Sequence, residues 1–318
     1  MQFRTQIPIS VHKYPIDYDA KIVSLGSCFA VNIAEKLDYF KFQNNCNPFG
    51  ILFHPLAIEK LLHLVVSEKQ FSDEDVFFHN ERWHSFDVHS DLSNSNKQDL
   101  LASLNALIKS TNKHVTEATH FIITYGTAWV YRKIETNAIV SNCHKVPQNQ
   151  FKKELLSATI LQASIANTIQ LIQAVNPDCT IIITISPVRH LKDGFVENQW
   201  SKANLISAIN NVLNFENGKL NAEYFPSYEI MMDELRDYRF YADDMLHPNT
   251  LAINYIWQRF AQTAISESAL ATMEIVETIQ KSLLHRPFNP DSESHLKFES
   301  KVREKITKLE NKYSFMKF

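Results

Sequence analysis

An α/β fold with a central parallel sheet and helices on both faces is the class that this 318-residue sequence predicts. Two observations point there. Strand-like apolar runs alternate with stretches of helical periodicity, the order that builds βαβ units. The clearest run, Thr180-Ile181-Ile182-Ile183-Thr184-Ile185, is nearly all apolar and β-branched, as expected of a strand covered on both faces.

The elements follow in order. Lys21-Ile22-Val23-Ser24-Leu25 reads as a short buried strand, and Gly26-Ser27-Cys28-Phe29-Ala30 turns it into a helix over 28–40. There Phe29, Val31, Ile33, Ala34, Leu37 and Phe40 recur at roughly helical spacing. A candidate strand lies within Gln43 to Phe49 and is closed by Gly50, and 56–67 and 97–111 read as amphipathic helices. His120 to Tyr125 is a second buried strand, ended by Gly126. Lys153 to Ala174 predicts a long helix, closed by the turn Asn176-Pro177-Asp178 ahead of the strand 180–185. A helix from Lys202 to Leu213 and a strand near Tyr228 to Met232 complete the alternation.

Beyond Asn249 the pattern is helical from Leu251 to about Leu284, then breaks at Arg286-Pro287-Phe288-Asn289-Pro290-Asp291. The charged segment Leu296 to Tyr313 spaces Val302, Ile306 and Leu309 at helical intervals. So narrow an apolar face is expected to lie on the domain or on a second subunit, where it would serve a homo-oligomer contact. The expected division is a main domain over 1–260 and a C-terminal helical extension over 261–318.

Composition excludes several functions. Net charge is −3 with a pI near 6.5 and no long basic block, which argues against a nucleic-acid surface. No stretch of about 18 apolar residues offers a membrane span. The N-terminus lacks the apolar core of a signal peptide, so a cytoplasmic location is expected. Cys28, Cys46, Cys143 and Cys179 show no CxxC spacing, so neither a zinc site nor a disulfide framework is read. His84 and His89 beside Asp87, and His144, are taken as loop histidines rather than ligands. No metal or cofactor is expected.

Chemistry is suggested at one place. A serine hydroxyl becomes a nucleophile when a base takes its proton and a third group orients that base. Ser27, at a strand-to-helix turn, would expose its oxygen at a helix N-terminus. Asp244 and His247, three residues apart before Pro248, would supply orienter and base. The ordinary alternatives are a serine N-cap, a turn aspartate and a solvated histidine. Only five glycines occur, and Gly26, Gly50 and Gly126 all follow apolar runs, at strand ends where open α/β sheets place ligands.

These blocks carry a family likeness. Gly26-Ser27-Cys28-Phe29-Ala30 spells the name of the GSCFA family, which resembles the SGNH/GDSL hydrolases. The likeness continues through Asn47-Pro48-Phe49-Gly50, Thr124 to Tyr131, Asn142 to Pro147, Ile185-Ser186-Pro187-Val188-Arg189-His190 and Asp244-Met245-Leu246-His247-Pro248. It implies a three-layer α/β/α sandwich and a Ser27–His247–Asp244 triad acting on a small-molecule ester, a carbohydrate ester before a long-chain lipid. SGNH enzymes usually place an oxyanion-hole asparagine two residues after the third-block glycine. This sequence has Ala128 there. Asn47, Gly50, Gly126, Thr127, Arg189 and His190 are the expected oxyanion or substrate-binding groups, with Asn47 and the Gly50 N–H favoured as donors. Cys28 is expected to be packed away. The alternative is a binding or acyl-transfer protein on the same fold.

Overall fold

The computed structural model describes residues 5–215 and 221–318. Five strands form one parallel sheet in the order β2-β1-β5-β9-β10: Gln43–Cys46, Lys21–Gly26, His120–Tyr125, Thr180–Ile185 and Ala222–Phe225. The chain winds outward in both directions from β1 and β5. The crevice between their carboxyl ends is the topological switch point, where such sheets bind ligands.

Alternation along the strands divides the core. Val23, Leu25, Phe121, Ile123, Tyr125, Ile181, Ile183 and Ile185 face one way. They meet α2 (Pro55–Val66), α3 (Lys97–Glu117), α4 (Ala158–Val175) and α5 (Phe195–Phe215). Ile22, Ile122, Ile182 and Phe225 face the other way, against α1 (Cys28–Tyr39), α7 (Thr250–Ala264), α8 (Glu267–Leu283) and α9 (Glu293–Lys312). The period of two in the strands thus builds the expected three layers. α9 lies on this second face, where Tyr18 stacks on Phe42 at 4.4 Å and meets Tyr313 at 5.0 Å. Among the described residues no helix is long and apolar enough to cross a membrane.

Several expectations are corrected. The expected helix 153–174 begins at Ala158, because Ser157 holds an extended backbone and caps Ile160 N–H. Phe151–Leu155 is instead strand β8, which joins β6 (Trp129–Lys133) and β7 (Ile139–Val140) in a small antiparallel sheet. The hairpin of β3 (Phe77–His79) and β4 (Arg82–His84) was likewise unread. The expected strand near Tyr228 to Met232 is helical, as α6 (Ser227–Glu229) and a π-helical turn over Ile230–Glu234. The strand lies earlier, at β10, and Pro226 ends it by withholding a ladder N–H. The helical stretch 251–284 is two helices, parted where Ser266 caps α8.

Candidate active site

All strands of the main sheet are parallel, so the loops after β1, β2, β5 and β9 meet at one edge. Gly26 holds φ +135°, and a Cβ there would lie 2.1 Å from the Thr124 carbonyl oxygen, so only glycine passes between β1 and β5. The chain then enters α1 at Ser27. Gly126, at the end of β5, lies against it: a Cβ on Gly126 would lie 3.1 Å from Ser27 Cβ, 3.2 Å from the Phe53 carbonyl oxygen and 3.4 Å from His190 Nε2.

Ser27 occupies the N-cap position but makes no side-chain cap bond. It is also not exposed as expected. The residue is 0% accessible, and Gly126 packs against it. Its hydroxyl is buried without a hydrogen-bond partner. A buried polar atom left unpaired is costly and asks for a reason.

Asp244 and His247 are built as a unit. Met245 takes φ +58°, and this tight turn brings Asp244 Oδ1 to the backbone N–H of Leu246 (2.9 Å) and His247 (3.0 Å). Asp244 Oδ2 meets His247 Nδ1 at 2.6 Å. The backbone and ring N–H groups of His247, with the Leu246 N–H, pull the Asp244 carboxyl down to about 2. It therefore stays ionised and fixes the imidazole with Nε2 outermost. His247 lines one cleft together with Cys28 and His190. No hydrogen bond joins Ser27 to His247.

A cleft of 650 Å³ opens beside this point. Trp129, Tyr131 and Phe151 of the small sheet line it with Val188 and Leu246, and Cys28, His190 and His247 close one end. Cys28 is therefore a cleft residue, not a packed one. Burial raises its thiol above the ordinary cysteine range, despite the nearby Lys202 charge. Tyr125, at the end of β5, is a core residue with 0% exposure.

The expected oxyanion donors fare unevenly. The Gly50 N–H is taken by the Asn47 carbonyl at 2.7 Å, and the Ser27 N–H by the Thr124 carbonyl at 3.0 Å. Both Gly126 and Thr127 N–H groups bond the Phe53 carbonyl, at 2.7 and 3.1 Å. The Thr127 hydroxyl accepts from Trp129 N–H and lies 3.0 Å from Ser201 Oγ. Ala128 is in the core, its N–H on Ser201 Oγ. Asn47 does lie beside the turn, because its Oδ1 accepts the Gly26 N–H at 2.8 Å while its Nδ2 is buried without a partner. Arg189 has no carboxylate partner among the described residues. Its N–H holds the Leu246 carbonyl at 3.1 Å, and its guanidinium sits 5.5–5.8 Å from the rings of Phe195, Tyr238 and Tyr241.

One residue was missed. Lys202 is 1% exposed and donates to the carbonyls of Gly126 (2.8 Å) and Ser186 (2.7 Å), tying the ends of β5 and β9 together. Burial pushes its amine down to about 7. A signal existed, since Lys202 falls in one helical row with Leu205, Ile209 and Val212, a charge inside an apolar stripe. The rings of His84 and His144 lie 4.7 Å apart, tilted at 44°, and bond Ser93, the His79 carbonyl and the Ser85 carbonyl. Among the described residues no cluster of three His, Cys, Asp or Glu side chains is placed to hold a metal.

The sequence matches the GSCFA family over residues 21–260. This chain belongs to the GSCFA family. The C-terminal domain of GSCFA proteins matches residues 276–318. An acetyl xylan esterase from the rumen bacterium Butyrivibrio proteoclasticus is similar in structure, at 10% identity and a TM-score of 0.36. The similarity covers 88% of this chain and 66% of that one, so this chain spans just under two thirds of its length. No curated protein matches in sequence.

Proposed function

We propose that this GSCFA protein is a serine acyl hydrolase that cleaves an ester through Ser27, His247 and Asp244. The observation that carries the reading is the Asp244–His247 pair, 2.6 Å apart, whose histidine lines the same cleft as Cys28, the neighbour of the unpaired Ser27. His247 Nε2 takes the Ser27 proton as Oγ bonds to the ester carbonyl carbon. The tetrahedral oxyanion collapses, the C–O bond to the alcohol breaks, and His247 returns the proton to the leaving oxygen. Water, deprotonated by the same ring, then releases the acid and restores Ser27. Asn47 Nδ2 is one donor to the oxyanion. The aromatic wall of Trp129, Tyr131 and Phe151 favours a carbohydrate ester.

The test is hydrolysis of p-nitrophenyl acetate and acetylated sugars by the wild type, Ser27→Ala and Cys28→Ala. Ser27→Ala should be inactive and Cys28→Ala active; the reverse would assign the chemistry to the thiol. The complete burial of Ser27 and the core position of Ala128 favour a second reading, a protein on this fold that holds its ligand or transfers an acyl group without hydrolysis. Ligand binding with neither release of acid nor modification of Ser27 would establish pure binding.

A further inference from the structure

We propose that His190 is a catalytic residue, its neutral imidazole donating the Nε2–H to the oxyanion formed at Ser27, in the sector that Ala128 leaves without a donor. The inference rests on the acyl-hydrolase reading above. Three observations carry it. His190 Nε2 is buried and bonds nothing, like the Ser27 hydroxyl beside it. Both flank Gly126: a Cβ placed there would lie 3.4 Å from His190 Nε2 and 3.1 Å from Ser27 Cβ, so both orphan groups belong to residues packed on the end of β5. The backbone N–H groups of Gly26, Ser27, Gly50, Gly126 and Thr127 all have partners, so none of these five is free to serve the hole. An N–H buried without a partner and next to the reacting atom finds its acceptor when the oxyanion forms.

The ring is a donor and not a base. Burial, the Lys202 charge behind it and His247 across the cleft push it down to about 3, so it is neutral at any working pH. Neutral imidazole has one N–H, and among the described residues no carboxylate holds His190 as Asp244 holds His247. The scaffold keeps it in place: its backbone N–H bonds Asn198 Oδ1 at 3.0 Å, and its ring meets Phe53 edge-on at 5.9 Å. Asn47 approaches from the β2 side and His190 from the β9 side. Together they would form a hole with two side-chain donors.

The experiment uses two variants of the full chain. His190→Phe keeps an aromatic ring against Phe53 but has no N–H, and His190→Gln restores an amide donor. His190→Phe should lower kcat on p-nitrophenyl acetate by about 10²-fold or more with KM nearly unchanged, because one hole donor acts in the transition state. His190→Gln should recover at least about tenfold of that loss, with the pH profile of kcat unmoved in both variants because His190 does not titrate there. A folded His190→Phe with wild-type kcat, or a His190→Gln as slow as His190→Phe, would overturn the assignment. A wild type that hydrolyses no ester and takes no phosphonate on Ser27 would overturn the hydrolase reading instead, so the two failures are distinct.

Discussion

Ser27 presents a hydroxyl that neither caps α1 nor finds any partner, and this separates its chemical role from its structural one. Loss of a serine N-cap normally costs about 1 kcal/mol. Here no cap bond exists, so Ser27→Ala should leave the thermal midpoint unchanged or raise it while removing esterase activity; a drop of several degrees would reveal a bond that the structure lacks. Asn47 needs a subtler change, since its Oδ1 holds the Gly26 N–H. Asn47→Asp keeps that acceptor and deletes the donor, so kcat should fall about 10²-fold with little change in stability. The pairing of Asp244 with His247 was legible in the sequence, because the two stand three residues apart in one short motif. Partner accounting was not. That the Gly50 N–H is occupied and the Asn47 Nδ2 is free depends on how β1, β2 and the following loops approach, and no residue pattern records it.

At the scale of elements, parallel strands were easier to read than edges. β1, β5 and β9 are buried on both faces over most of their length and so are largely apolar, whereas β2 is Gln43-Asn44-Asn45-Cys46 and β10 is a short edge strand beside Pro226. β8 was lost inside an apparent helix, because its Lys-Lys-Glu stretch carries no alternation that distinguishes it. This small sheet supplies the aromatic wall of the cleft, so the substrate side of the site was the least visible part. The β1–α1 turn is the most constrained element. Gly26→Ala would drive a Cβ to 2.1 Å from the Thr124 oxygen and should cost more than about 3 kcal/mol in urea unfolding. The C-terminal α9 is integral as well: Leu309 and Met316 are 5% and 1% exposed within the second core. Leu309→Ala should cost about 2–5 kcal/mol. A cost near zero would mean that α9 is a detachable tail.

Over the whole molecule, buried titratable groups set the pH dependence of stability. Burial holds His54 and His144 near about 4, and His190 lower still. These lie below the unfolded histidine value of about 6.5, so the unfolded chain binds more protons in between. Stability should therefore fall as pH drops from about 6.5 towards 4. Lys202 extends the trend upward. Its amine sits at about 7 when folded, below the unfolded value of about 10.4, so stability should rise between pH 7 and 9 by about 1.4 kcal/mol per unit. Urea midpoints across pH 7–9 should lose that slope in Lys202→Met; an unchanged slope would mean that the ammonium is not held in a desolvated site.

The central claim is that Ser27 is the nucleophile of a hydrolytic site, and one measurement meets it directly. The full-length protein is treated with a fluorophosphonate at neutral pH, digested, and the modified residue located by mass spectrometry. A single adduct is expected on Ser27, lost in Ser27→Ala and strongly slowed in His247→Ala. An adduct on Cys28, or none on a folded protein, would contradict it.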